Sequence, residues 1–195
     1  MTLPMALRAL LPLVLLLGLS ASATTMLRAD LPELARTADT IVHGTVRRVE
    51  SRWSGDGRRI VTDVEIQVSE ALKGQASGSV LVTQPGGRVG DIGQKVSGLA
   101  SFTPGEEVVL FLERRGPEAF RVAGMAQGKY QVQRSGDGTR ALAVPESTED
   151  VLLVDPDTRQ ATASSARTLS LAELKASIRT ALQQSPAKGT QEKQP

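Results

Sequence analysis

The stretch TQPGGRVGDIGQKVSG, Thr83 to Gly98, brings Gly86, Gly87, Gly90, Gly93 and Gly98 into one short segment. Gly87, Gly90 and Gly93 follow a G-x-x-G-x-x-G spacing, of the kind that lets backbone N–H groups crowd around a phosphate. A phosphate loop also needs a strand before it and a helix after it, because the helix N-terminus holds the anion. The apolar run SVLVTQ supplies the strand. No G-K-[ST] follows, and QKVSGLASFTPG is broken by Gly98 and Pro104, so no helix starts there. The expectation is therefore a long, flexible loop between two strands, the place where rigid β scaffolds often carry function. Arg88, Asp91, Gln94 and Lys95, with Phe102 at the loop's end, are its candidate binding residues.

Other chemistry is limited by composition. The chain has one histidine, His43, and no cysteine. Thiol catalysis, iron–sulfur clusters and cysteine zinc sites are thereby removed. A catalytic histidine needs a nucleophile and an orienting carboxylate. No G-x-S-x-G elbow occurs, so His43 reads as a structural or surface residue. Asp63, Glu65, Glu106 and Glu107 offer carboxylates for acid–base work on a glycoside, although strands with a wet face carry such residues routinely. Two SGDG segments, Ser54–Gly57 and Ser135–Gly138, read as hairpin tips; the EF-hand ligand spacing is absent. Arg47, Arg48, Arg52, Arg58 and Arg59 cluster beside Trp53, a combination suited to a single-stranded nucleic acid or an anionic polysaccharide. Glu50, Asp56 and Asp63 offset them, which leaves an anionic envelope polymer as the better fit. Neither a cofactor nor a metal site is expected.

These residues must be held by a mainly β chain. ADLPELARTAD, Ala29 to Asp39, reads as a short helix, with Asp30 at the N-cap, Pro32 in the first turn and Glu33 three residues on. TIVHGTVRRVESRW, Thr40 to Trp53, is a β-branched strand interrupted by Gly44, as at a bulge or barrel corner. RIVTDVEIQVSEAL alternates, with Ile60, Val64, Ile66 and Val68 on one face and Asp63, Glu65 and Gln67 on the other, so it returns as the hairpin partner. Ser79–Gln84, Glu106–Arg115 and Ala119–Gly124 read as further strands, and the run Val108 to Leu112 implies burial on both faces. Lys129–Arg134 leads into the second SGDG, with TRALAV returning beside it and Val151–Val154 as an edge strand. LSLAELKASIRTALQQ is a helix, capped by Ser170 and Glu173 and stapled by Leu169 and Leu174, with Leu171, Leu174, Ile178 and Leu182 in one stripe.

The N-terminus carries an address. Arg8 precedes the apolar run ALLPLVLLLGL, and SASATT then offers Ala21-Ser22-Ala23 as an A-x-A cleavage signal. That is a secretory signal peptide over 1–23, with cleavage between Ala23 and Thr24. The expected product is periplasmic or secreted, has no membrane span of its own, and holds together by core burial without disulfides. The full chain has 23 basic and 21 acidic side chains, a net charge of +2, and without Arg8 the product is near +1, so it lacks the strongly basic face of a nucleic-acid binder. The organisation read from the sequence is a β domain over 24–145, a loop-rich connector over 146–168, a helix over 169–185 and a disordered tail over 186–195.

The order of these elements suggests a small barrel of the oligonucleotide/oligosaccharide-binding type. ADTIVHGTVRRV, VTDVEIQVSEALKG, VLVTQPGG and FTPGEEVVLFLE together resemble the netrin-like module found in tissue inhibitors of metalloproteinases and in exported bacterial proteins. The likeness rests on Ala38-Asp39-Thr40-Ile41-Val42, Ala71-Leu72-Lys73-Gly74 and Gly105-Glu106-Glu107-Val108-Val109, and spans Asp30 to Gly124. It implies an OB/netrin-like antiparallel barrel and a protein-binding, protease-associated role. It carries no inhibitory residue across, because those inhibitors chelate the protease zinc through an N-terminal cysteine, and here Thr24 is followed by a helix. Three functions stay open: a non-enzymatic interaction module, a carboxylate hydrolase acting on envelope carbohydrate, and a structural envelope protein.

Overall fold

The computed structural model describes residues 24–117 and 119–184. The signal peptide expected over 1–23 and the tail expected over 186–195 lie outside them. In chain order the elements are β1 (Thr25–Leu27), an N-terminal helix (Leu31–Thr37), β2 (Thr40–Trp53), β3 (Ile60–Lys73), β4 (Ser79–Pro85), β5 (Gly87–Val89) and β6 (Ile92–Gln94). There follow β7 (Glu107–Arg115), β8 (Ala119–Val122), a 3-10 turn (Met125–Gly128), β9 (Lys129–Arg134), β10 (Ala141–Pro145), β11 (Leu152–Val154), β12 (Leu169–Ser170) and a C-terminal helix (Leu171–Gln184).

Five strands close into a ring, β2–β3–β4–β8–β7 and back to β2, which is a small barrel, as expected. One seam departs from the all-antiparallel expectation: β4 and β8 run parallel, through Leu81↔Ala119 and Val82↔Phe120. A sheet extends off the ring from β7 through β9, β10 and β12. The residues after Thr24 also differ from expectation. Thr25–Leu27 form a strand before the helix begins, paired in parallel with Leu152–Val154.

Alternation on the strands divides the core in two. Val42, Val46, Val64, Ile66, Val82, Val108, Leu110, Leu112 and Phe120 fill the barrel interior. Ile41, Val109, Phe111, Tyr130, Val132 and Ala143 point out of it, against Leu34, Ala35, Leu171, Leu174 and Ile178 of the two helices. The five residues Val108 to Leu112 are wholly buried because β7 belongs to both cores at once. Each large side chain so buried contributes roughly 1.5–3 kcal/mol. The C-terminal helix therefore docks outside the barrel.

Local signals set the element ends. Asp30 accepts a hydrogen bond from the Glu33 N–H at 2.8 Å, although the Glu33 carboxylate turns to Arg36 and does not close the box. The ammonium of Lys73, at the end of β3, donates to the carbonyls of Ala35, Arg36 and Ala38 and so caps that helix's C-terminus. Ser170 and Glu173 form a complete box: the Ser170 hydroxyl accepts from the Glu173 N–H at 3.1 Å, and the Glu173 carboxylate accepts from the Ser170 N–H at 2.8 Å. Gly44 lies at a register shift in the β2–β3 ladder. A Cβ there would stand 2.3 Å from the Gln67 carbonyl, so only glycine lets the strands close at that corner.

Candidate interaction site

The glycine-rich segment is not an irregular loop. Gly87–Val89 and Ile92–Gln94 pair antiparallel, Arg88 opposite Gly93, and form a ribbon that turns through Gly90 and Asp91. Its base is fixed to the barrel. The Gly86 N–H donates to the Ile60 carbonyl at 2.8 Å, and the Ile60 N–H donates to Gln94 Oε1 at 3.1 Å. The Thr62 hydroxyl, 2.9 Å from Ser51 Oγ, donates to the Gly86 carbonyl at 2.7 Å. Gly87, at φ +125°, lies against this pair: a Cβ would stand 2.2 Å from Ser51 Oγ and 2.3 Å from Thr62 Oγ1. The glycine is needed for this close approach.

The ribbon separates the candidate binding residues into two groups. Arg88 and Asp91 stand exposed on it, Arg88 Nε donating to the Gly90 carbonyl at 3.1 Å. Ile92 beside them is 56% exposed. Gln94, Lys95 and Phe102 line a groove of about 350 Å³ at the ribbon's base, with Ser51, Thr62 and Gln84. Gln84 closes one wall by donating to the Ala100 carbonyl at 2.9 Å.

Beneath that wall lies a cluster that sequence reasoning missed. Lys129 opens β9 and is 1% exposed. Its ammonium is 2.7 Å from Glu106 and 2.9 Å from Glu146, donates to the Ser101 carbonyl, and sits 5.0 Å from the Phe102 ring centroid. Burial pushes the Glu146 carboxyl up, but the Ser101 hydroxyl and Lys129 outweigh it and hold the group below the usual range. Three charges thus fix the segment Ser101–Phe102 against the barrel. The sequence signal was misleading, since a lysine opening a strand normally reads as solvated.

His43 is buried, 8% exposed, and both its ring nitrogens have charged partners. Its Nε2 is 2.7 Å from Glu107 and its Nδ1 is 3.1 Å from the Lys175 ammonium. Lysine is only a donor, so Nδ1 accepts and Nε2–H donates to Glu107. Lys175 also pairs with Glu70 at 2.6 Å, and Arg134 with Glu107. The hydrogen bond from Arg134, ahead of that from His43, holds the Glu107 carboxyl low against the opposing effect of burial. The hydrogen bond from Lys175 does the same for Glu70. This chain of charges ties the C-terminal helix to β2, β3 and β7.

The remaining charged candidates are ion-paired or solvated. Arg52 binds Asp63 at 2.6 Å, Asp63 also accepts from Thr83 at 2.6 Å, and Arg48 reaches Glu65 at 4.0 Å. Trp53, at the hairpin's end, is 41% exposed. Asp56 and Asp137 accept from Ser54 and Ser135 within their own turns. Among the described residues, no three His, Asp or Glu side chains gather as a metal site, and no helix is long and apolar enough to cross a membrane. No family model matches this chain, and no curated protein matches it.

Proposed function

We propose that this protein is an exported, non-enzymatic interaction module that engages its partner through the β5–β6 ribbon and the groove below it. The observation that carries this reading is the ribbon itself. It is anchored at its base by Gly86, Gly87 and Gln94, while Arg88, Asp91 and Ile92 are presented to solvent. A preformed element with one cation, one anion and one apolar side chain loses little conformational entropy on docking. The resemblance to netrin-like modules makes an exported protein, such as a protease, the partner class. Export itself rests on the signal-peptide pattern over 1–23.

Support against a carboxylate hydrolase comes from the carboxylates. Glu106 and Glu146 share the buried ammonium of Lys129, and Glu70 and Glu107 are held ionised by cations. A general acid needs the opposite, a carboxyl whose proton is retained near neutral pH. The barrel interior is filled by apolar side chains. The test is capture from the host's own exported fraction, with wild-type protein and an Arg88→Glu/Asp91→Lys variant as parallel baits. A partner held by the first and lost by the second supports the reading. A partner held equally by both removes the ribbon from it.

A further inference from the structure

We propose a second binding site at the seam between β4 and β8, one that takes an extended peptide segment carrying an acidic residue. It stands independently of the ribbon. The seam is the shortest ladder of the barrel, with only two residue pairs, Leu81↔Ala119 and Val82↔Phe120. The ladder stops there, and Pro85 keeps it from resuming two residues on. The Gly86 N–H donates to Ile60, so even-numbered residues of β4 face β3 while Thr83 and Pro85 face β8. Continuing the register would pair Gln84 with Val122, and that rung needs an N–H from Pro85 to the Val122 carbonyl. Proline has none.

A cleft of about 380 Å³ opens where the ladder stops. Thr83, Gln84 and Pro85 form one wall, and Arg121 and Val122 the other. Met125 lines the same cleft in a left-handed backbone conformation, φ +57°, which is rare for a residue with a Cβ. A peptide laid along this opening supplies the N–H that Pro85 lacks, which is strand addition at a sheet opening. Pro85, Leu99, Val122 and Met125 offer it an apolar wall. Two cations lie at the rim. Arg121 is occupied by Glu113 at 2.7 Å, whereas Arg115, also in the lining, has no ion pair among the described residues. An acidic side chain beside an apolar one therefore complements the cleft. Its lining holds no aromatic ring to stack on a sugar, which favours a peptide over a polysaccharide.

The test is a positional-scanning hexapeptide library, read by fluorescence polarisation against the protein as secreted by an expressing cell. Pools with Asp or Glu next to an apolar residue should bind best. Arg115 is exposed at a strand end, so Arg115→Glu keeps the fold, checked by circular dichroism, and should weaken that binding about tenfold or more. Arg88→Glu/Asp91→Lys should leave it unchanged, which separates this site from the ribbon. In ¹⁵N spectra the selected peptide should shift Thr83, Gln84, Arg121 and Val122. The proposal is overturned if no pool binds, if acidic pools gain nothing, if Arg115→Glu binds equally, or if polygalacturonate but no peptide moves those resonances.

Discussion

The ammonium of Lys129 lies 2.7 Å from the Glu106 carboxylate in a site where both side chains are almost fully enclosed. With Glu146 on its other side, this pair joins β9, the residue before β7 and the residue after β10 into one buried junction under the groove wall.

Removing the ammonium leaves two carboxylates without their cation. Lys129→Met should destabilise the protein by about 3–5 kcal/mol. A Lys129→Met/Glu106→Gln/Glu146→Gln variant should recover part of that loss, since neutral amides tolerate the site better. Urea unfolding of the three proteins checks both statements. Equal loss in the single and triple variants would mean that packing, not uncompensated charge, is what Lys129 supplies.

His43 bridges Glu107 and Lys175, and so couples the barrel to the C-terminal helix. His43→Leu should cost about 1–3 kcal/mol, because two polar partners lose their bond in a half-buried site. Amide exchange should speed up most in Leu171–Gln184 and least in the barrel strands. Uniform acceleration across both would contradict a local clamp.

Acid should weaken the fold in a defined window. The Glu70, Glu107 and Glu146 carboxyls are all held below their ordinary value of 4.5 in the folded protein. A depressed folded value means the contribution is complete above about 4.5 and is lost as pH falls through the folded values. Melting temperature should thus be insensitive to these three groups at neutral pH and fall below pH 4.5. Glu107→Gln should flatten that fall, as followed by thermal melts across pH 2–7.

Gly87 is where the ribbon meets the barrel. Gly87→Val places a Cβ inside contact distance of Ser51 and Thr62 at a backbone angle valine avoids. The expected cost is about 1–3 kcal/mol from overpacking, with the ribbon lifted off its anchor. Chemical denaturation gives the first. Loss of the Ile60 N–H protection that Gln94 provides gives the second.

Much of this architecture is readable from local pattern. The hairpin of β2 and β3 follows from period-two alternation, the double burial of β7 from its unbroken apolar run, and the C-terminal helix from Ser170, Glu173 and its stripe. The rest depends on partners far away in the chain. Thr25–Leu27 is too short to read as a strand until Leu152–Val154 lies beside it. The ribbon escapes because five glycines suggest freedom, whereas Gly87 is fixed by what it touches. Lys129 escapes because its two carboxylates and its aromatic neighbour come from two other segments. Of the candidate residues, Gln94, Lys95 and Phe102 do share one groove, and Arg88 and Asp91 share the ribbon above it.

The most direct test of the central claim is quantitative capture with two baits, wild type and Arg88→Glu/Asp91→Lys, from the host's exported proteins. Both substitutions lie on an exposed ribbon and should leave the melting temperature within about 2 °C. The account predicts one reproducible partner on the wild-type bait, depleted at least tenfold on the variant. The same partner at equal yield on both baits, with both folded, would contradict it.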